Sequence, residues 1–465
     1  MLSRRTAICS ALATAFASPC AGAASATEPA TILRVQRRSI EVNGKSASRL
    51  AISQRDGRQG LMTAVGRQFR VRVENQLDEP TLIHWHGLAP PWQQDGVPGI
   101  SSPPIAPGES VEYDFPLDFG GTFFMHSHQG LQEQQLLAAP LIISDSRDRR
   151  GQQDVVVILA DFSLTPPEQI FEGLRKGGMK MPAGGAMAMG GGASAAPDLN
   201  DVKYDAFLAN DRTLADPEVI RVETGGTVLL RVINSSSMSA YHLDLGALEG
   251  ELIAVDGWLV QPVRGHRFPI AVAQRLDIRL RIPRTPAEHP ILATLEGERN
   301  QTGVILQGGN ARVRRLPLQA SSATSALTLD LERSLRAAEP LAPRKADQTH
   351  RLNLTGNMDG YVWSINGVAW NQDVPPLPVA KGERVELVFQ NQTPMPHPMH
   401  LHGHTFQVVE IDGQRFAGAR RDTVLVTPDT RVVVAFDADN PGWWALHCHL
   451  LYHLEAGMFT TLRYV

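Results

Sequence analysis

The sequence predicts an all-β protein made of three homologous β-domains, and two observations carry that reading. First, Gly (40) and Pro (32) are abundant among the 465 residues, beside plentiful Val, Ile and Thr. Such a composition favours many short strands joined by turns. Second, one pattern recurs along the chain. Gly66 is followed by Asn75, His84, His86 and Gly87 at 9, 18, 20 and 21 residues, and Gly382 by Asn391, His400, His402 and Gly403 at the same spacings. Between Gly and Asn, residues 68–73 and 384–389 both read as strands. Gly121 lies five residues before His126, as Gly442 lies five before His447, and each opens an aromatic run, Phe123-Phe124 and Trp443-Trp444. A degenerate copy falls between them: Gly225, Asn234, His242-Leu243-Asp244 and Gly246.

Length and charge bound the rest. At roughly 100–200 residues per domain, the chain holds two to four domains with real cores. A 43% hydrophobic, 20% charged composition excludes disordered, collagen-like and coiled-coil classes. With 44 Lys+Arg against 48 Asp+Glu the net charge is −4, so no basic field recruits nucleic acid. No apolar run reaches the ~18 residues of a membrane span.

In chain order, residues 1–26 read as an export address. Ser3-Arg4-Arg5 precedes a weakly apolar stretch and then Ala24-Ser25-Ala26, a small-residue cleavage pattern near Ala26. The arginine pair resembles a twin-arginine signal, which carries folded proteins outward through its own export machinery; an ordinary secretory signal is the alternative. A periplasmic or secreted location is therefore expected. Loss of Arg4 and Arg5 takes the charge from −4 to −6. The first domain is placed at 27–146, the second at 147–316 with a Met-rich segment at 177–193, a Pro-bearing connector at 317–349, and the third domain at 350–465.

The chemistry lies in the histidines and one thiol. Cys9 and Cys20 fall in the signal, so Cys448 is alone and no disulfide can form. Of 15 histidines, 11 fall in four clusters: His84 and His86; His126 and His128; His397, His400, His402 and His404; and His447, His449 and His453. On a strand, His-x-His aims both imidazoles at one face. These are too many rings for a single zinc tetrahedron, and imidazole with thiolate and thioether suits copper. In the last copy His397, Cys448, His453 and Met458 stand where the first copy has Thr81, Ser127, Gln132 and Leu137. Two His, a Cys and a distant Met form the ligand set of a blue-copper centre, so the last domain has a site that the first has lost. Eight others, His84, His86, His126 and His128 from the first domain and His400, His402, His447 and His449 from the last, would meet at a shared interface. Cys448 projects opposite to His447 and His449, which joins the two sites through a few covalent bonds.

The four motifs in order resemble those of the multicopper oxidases, a family that includes laccases and bacterial copper-resistance oxidases, from about residue 32 to the end. The resemblance implies three cupredoxin-like Greek-key β-barrel or sandwich domains and four copper ions. It assigns the type 1 copper to His397, Cys448, His453 and axial Met458, and the type 2 copper to His84 and His400. One type 3 ion would take His86, His126 and His449, and the other His128, His402 and His447; His404 matches a non-ligand position. Four one-electron oxidations of a reductant would be coupled to reduction of dioxygen to water. A non-catalytic copper-binding protein is the competing reading, and intact ligands at all four motifs argue against it.

Three acids are candidates for moving or holding protons. Asp95, in Asp95-Gly96-Val97-Pro98-Gly99, matches a family acid implicated in proton delivery, against a plain turn-capping role. Some bacterial members carry an acid directly after the last type 1 histidine; here that residue is Leu454, and Glu455 follows. Asp422 resembles a family acid near the blue-copper histidines and could orient His397, against the alternative of a plain surface-turn acid. For the reductant, Met179, Met181, Met187 and Met189 fall within 11 Gly/Ala-rich residues. Thioethers select Cu(I), which favours cuprous-ion oxidation or copper tolerance. A general phenol-oxidising laccase, with the segment a mere linker, is the alternative; manganese or another donor follows.

Overall fold

The structure is a computed structural model that describes residues 29–145, 151–177 and 199–465. The expected export signal, the boundary at 146/147 and the four methionines of the 177–193 segment lie outside the described residues. Six sheets form three pairs. The first pair joins Lys45–Gln54, Thr31–Val42, Gln68–Asn75 and Ser110–Pro116 in one sheet, and Leu61–Ala64, Ala138–Ser144, Gly121–Ser127 and Ile83–His86 in the other. Alternate residues of these strands, such as Leu33, Val35, Phe69, Val71 and Val73, pack against Trp85, Phe123 and Leu141 of the facing sheet. The second pair has six and five strands, the third seven and five. Among the described residues helix is confined to short pieces, the longest being Pro167–Arg175. No described helix is long and apolar enough to cross a membrane.

The repeat has a physical basis at its anchor residues. Gly66, Gly225 and Gly382 all adopt φ near +80 to +90° (81, 78 and 89°), the left-handed turn conformation that admits glycine freely. Each opens a strand that pairs in parallel with the first strand of its domain: Gln68–Asn75, Thr227–Asn234 and Arg384–Asn391. Each strand ends on a buried Asn whose amide ties it to the loop that follows and to a second segment, which in the second and third domains is a strand of the other sheet. Asn75 Nδ2 donates to Glu79 O and Ile105 O, Asn234 Nδ2 to Ser239 O and Ile270 O, and Asn391 Nδ2 to Met395 O and Val426 O. The Asn side-chain oxygens accept backbone N–H groups two residues on. These amides fix the loop that leads to each histidine strand.

The lost site of the first domain is filled by hydrogen bonds. Thr81 Oγ1 and Ser127 Oγ both donate to Gln132 Oε1 at 2.8 Å, and Gln132 Nε2 donates to Pro80 O at 2.9 Å. Polar groups of the right size thus hold the cavity closed without a metal.

Candidate metal centre

Two groups of side chains converge in the third domain and at its interface with the first. His397, at the start of His397–Leu401, meets Cys448 at the end of Trp443–Cys448 and His453 in the helix Leu451–Glu455. Cys448 Sγ lies 3.7 Å from His397 Nδ1 and 3.9 Å from His453 Nδ1, and all three residues are fully buried. Both rings give their other proton away. His453 Nε2–H donates to Asp201 Oδ2 (2.9 Å) and His397 Nε2–H to Thr393 Oγ1 (2.7 Å), whose own hydroxyl donates to Asn391 Oδ1. Two Nδ1 lone pairs and a sulfur therefore face one point. Met458 is buried beside them, its carbonyl accepting Cys448 N–H and its N–H donating to His453 O. Burial pushes the Cys448 thiol well up and holds His397 well below its ordinary value.

Eight histidines form the second group. Ligand atoms of His86, His126 and His449 lie within 4.8 Å of one another, as do those of His128, His402 and His447. His84 and His400 bridge between the domains: His86 stacks on His400 with ring centroids 3.7 Å apart, and His84 lies 3.8 Å from His402. Outer acceptors orient six of the rings. His84 Nδ1–H donates to Asp95 O and His400 Nδ1–H to Asp422 O; His86 Nε2–H donates to Asp422 Oδ1, and His402 Nδ1–H to Asp95 Oδ2. His126 and His447 donate to the carbonyls of Ser127 and Cys448. The inward nitrogens are then lone pairs. His402 Nε2 faces His447 Nε2 at 2.9 Å and His86 Nδ1 faces His126 Nε2 at 3.4 Å, while Nε2 of His84 and of His400 has no partner. Lone pairs at such distances repel with no proton between them, and buried nitrogens left bare cost about 1–3 kcal/mol each. A cation relieves both, so the residues fit a metal. Burial keeps the rings neutral and ready: it pulls His447 down to about 3 and His86, His400, His402 and His449 well below their ordinary value.

Two of the three expected acids stand elsewhere than predicted. Asp422 does not touch His397. The strand Thr423–Val426 pairs Thr423 with His400 and Val426 with His397, so Asp422 falls beside His400 and reaches His86. Glu455 is exposed at the end of its helix, and partial desolvation holds its carboxyl above the ordinary value despite the opposing pull of Arg175. Residues two apart on a helix face different ways, so Glu455 turns from the site that His453 enters. Asp95 does sit at the eight-histidine group, 1% exposed. His404 bonds Tyr464 Oη and the His402 carbonyl, outside both groups.

Three residues escaped the sequence reading. Arg275, from the histidine-poor second domain, clamps Asp422 with Nη1 on Oδ1 at 2.8 Å and Nη2 on Oδ2. Burial pulls this guanidinium down, and Asp422 and Asp256 outweigh it. Asp201 caps His453, and Glu133 lies beside His126 and His449.

Three models of one protein family, described as multicopper oxidase, match residues 34–148, 153–311 and 343–465. The chain is 32% identical over 432 residues to "Multicopper oxidase MmcO" of Mycobacterium tuberculosis, spanning 87% of this chain and 81% of that protein. It is 29% identical over 537 residues to "Copper resistance protein A homolog" of Pseudomonas syringae pv. tomato, spanning 91% of this chain and 90% of that one. Among solved structures, Fet3p, titled a multicopper oxidase that functions in iron import, superposes with a TM-score of 0.79 at 20% identity, over 93% of this chain and 90% of its own.

Proposed function

Since this chain belongs to the multicopper oxidase family, we propose that it takes electrons singly at His397, Cys448, His453 and Met458 and reduces dioxygen at the eight-histidine interface. The family makes it an oxygen-dependent copper oxidoreductase with a three-domain cupredoxin-like fold. The finer assignment is four copper ions: type 1 at those four residues, type 2 at His84 and His400, and a type 3 pair at His86, His126 and His449 and at His128, His402 and His447. Copper bound there would supply one-electron oxidation at the first site and four-electron reduction of dioxygen to water at the second. One observation carries the reading. Cys448 turns its sulfur into the first group while its chain neighbours His447 and His449 enter the second. The path between sites is then a few covalent bonds, shortened further by the His447 Nδ1–H bond to the Cys448 carbonyl at 2.9 Å.

The protein's other residues bind, orient and exclude water. Asp95 holds His402 with its carboxylate and His84 with its carbonyl, and is the proton source nearest the cluster. Asp422, fixed by Arg275, keeps His86 turned so that Nδ1 faces inward. Trp363 stacks on His453 at 4.0 Å, and Asp201 covers its outer nitrogen. The histidine is thereby sealed from a bulky aromatic, which supports a small reductant such as Cu(I). Such an enzyme would serve copper tolerance and act after export, with residues 1–26 as its signal.

The experiment concerns Met179, Met181, Met187 and Met189, which lie outside the described residues. If they gather Cu(I), changing all four to Leu raises the KM for Cu(I), because substrate binding alone has been removed. Oxidation of a bulky phenol stays equal or quickens. Equal Cu(I) kinetics in steady-state oxygen uptake would reject capture by the methionines and favour a general laccase.

A further inference from the structure

The repeat leads to a carboxylate at the cluster that no motif contains. Gln132 lies six residues after His126, as His453 lies six after His447, so Glu133 is the counterpart of Leu454. Leu454 packs with Val97, Ile100, Ala445 and Phe459, and Phe459 stacks on His447. On that side of the cluster the position is apolar. On the other side Glu133 turns its side chain, 4% exposed, between two histidines. Oε2 lies 3.4 Å from His126 Nδ1 and Oε1 4.0 Å from His449 Nδ1.

Both groups at the longer contact are orphans. Oε1 of Glu133 has no hydrogen-bond partner, and neither nitrogen of His449 has one. A buried acceptor and a buried ring that face each other unpaired each carry a desolvation cost, which one Nδ1–H bond would remove from both. The backbone around them cannot swing away. Gln132 is tied into the Thr81–Ser127 network, and Gln134 donates to Asp161 Oδ1 while accepting from the hydroxyls of Tyr204 and Tyr452. One turn, Gln132–Gln135, therefore touches all three domains.

We propose that Glu133 is the positioning carboxylate of His449, accepting its Nδ1–H so that this ring presents Nε2 to the same ion as its neighbour His126, whose own Nδ1–H is held by the Ser127 carbonyl. This rests on the reading of the eight histidines as a copper cluster. Asp95 and Asp422 already hold four of the other rings, and Glu133 completes the set for this side. Partners of ligating histidines that fix the tautomer in this way are worth on the order of 10–100-fold in metal affinity.

The test uses Glu133→Met, an apolar side chain of similar length, and Glu133→Gln, whose carbonyl oxygen still accepts an Nδ1–H. Copper content is measured against a graded series of chelators, with the blue absorbance of the Cys448 site as internal reference. Glu133→Met is expected to release cluster copper at chelator strengths roughly 10–100-fold lower, with the blue band intact. Glu133→Gln should hold copper as the wild type does. Wild-type copper retention by Glu133→Met, or release by Glu133→Gln equal to that of Glu133→Met, overturns the assignment. A wild-type protein that binds copper only at the blue site would instead sink the cluster reading beneath it.

Discussion

Cys448→Ser is expected to yield a colourless protein that keeps its cluster copper and oxidises no substrate. Wild-type protein purified with copper should be intensely blue, from charge transfer between thiolate and metal. The variant replaces a soft sulfur, 3.7 and 3.9 Å from the two ring nitrogens, by a hydroxyl that stays protonated and is a poor ligand for copper. Both the colour and the entry point for electrons go with the sulfur. The eight other rings touch only the backbone of this residue, through the His447 bond to the Cys448 carbonyl, and Cys448 N–H is separately held by the Met458 carbonyl. Those bonds survive the substitution, so copper at the interface should be retained and only its supply of electrons cut. Oxygen uptake with any reductant should fall to background. A colourless wild type at full copper loading would remove Cys448 from the first site, and a Ser variant that still turns over would remove it from the electron path.

What was legible in the chain follows from what repeats. The Gly and Asn anchors recur because each performs the same local task, a left-handed turn and an amide that pins the following loop, and such tasks are settled within a few residues. Paired histidines are legible for the same reason: a strand sends alternate side chains to one side, whatever lies across from them. Even the empty copy could be read, since Thr81, Ser127 and Gln132 replace three ligands with groups that satisfy one another. Partners brought together by tertiary packing were not legible. Asp422 sits one residue from Thr423, and only the pairing of Thr423 with His400 decides which histidine it serves. Glu455 depends on where one helical turn points. Arg275 belongs to the domain whose motif has decayed, yet its guanidinium reaches the acid that holds His86. Glu133 shows no pattern of its own, and becomes visible only where the fold brings it beside His126 and His449.

Asp95→Asn is expected to slow the oxidation of fully reduced protein by dioxygen by ~10²–10⁴-fold, the usual contribution of a positioned general acid. Reduction at the blue site should be nearly unchanged, because no contact joins Asp95 to His397, Cys448 or His453 among the described residues. The geometry lets the two duties of this residue be separated. Its carbonyl accepts from His84 Nδ1 at 2.8 Å, and Asn has the same carbonyl. Its Oδ2 accepts from His402 Nδ1 at 2.8 Å, and an amide oxygen in that place still accepts, though more weakly than a carboxylate. The placement itself depends on Gly96, at φ +85°, where a side chain would strike the Ile83 carbonyl; Asn leaves that turn alone. Copper content and the orientation of both rings should therefore survive. What the amide cannot do is give up a proton and be recharged. The remaining carboxylate oxygen, Oδ1, lies 3.2 Å from His84 Nδ1 and forms no hydrogen bond, so it is the atom free to carry one. Single-turnover mixing with dioxygen separates the outcomes: a slow phase with full copper assigns proton delivery to Asp95, whereas unchanged reoxidation leaves it only the holding of His84 and His402.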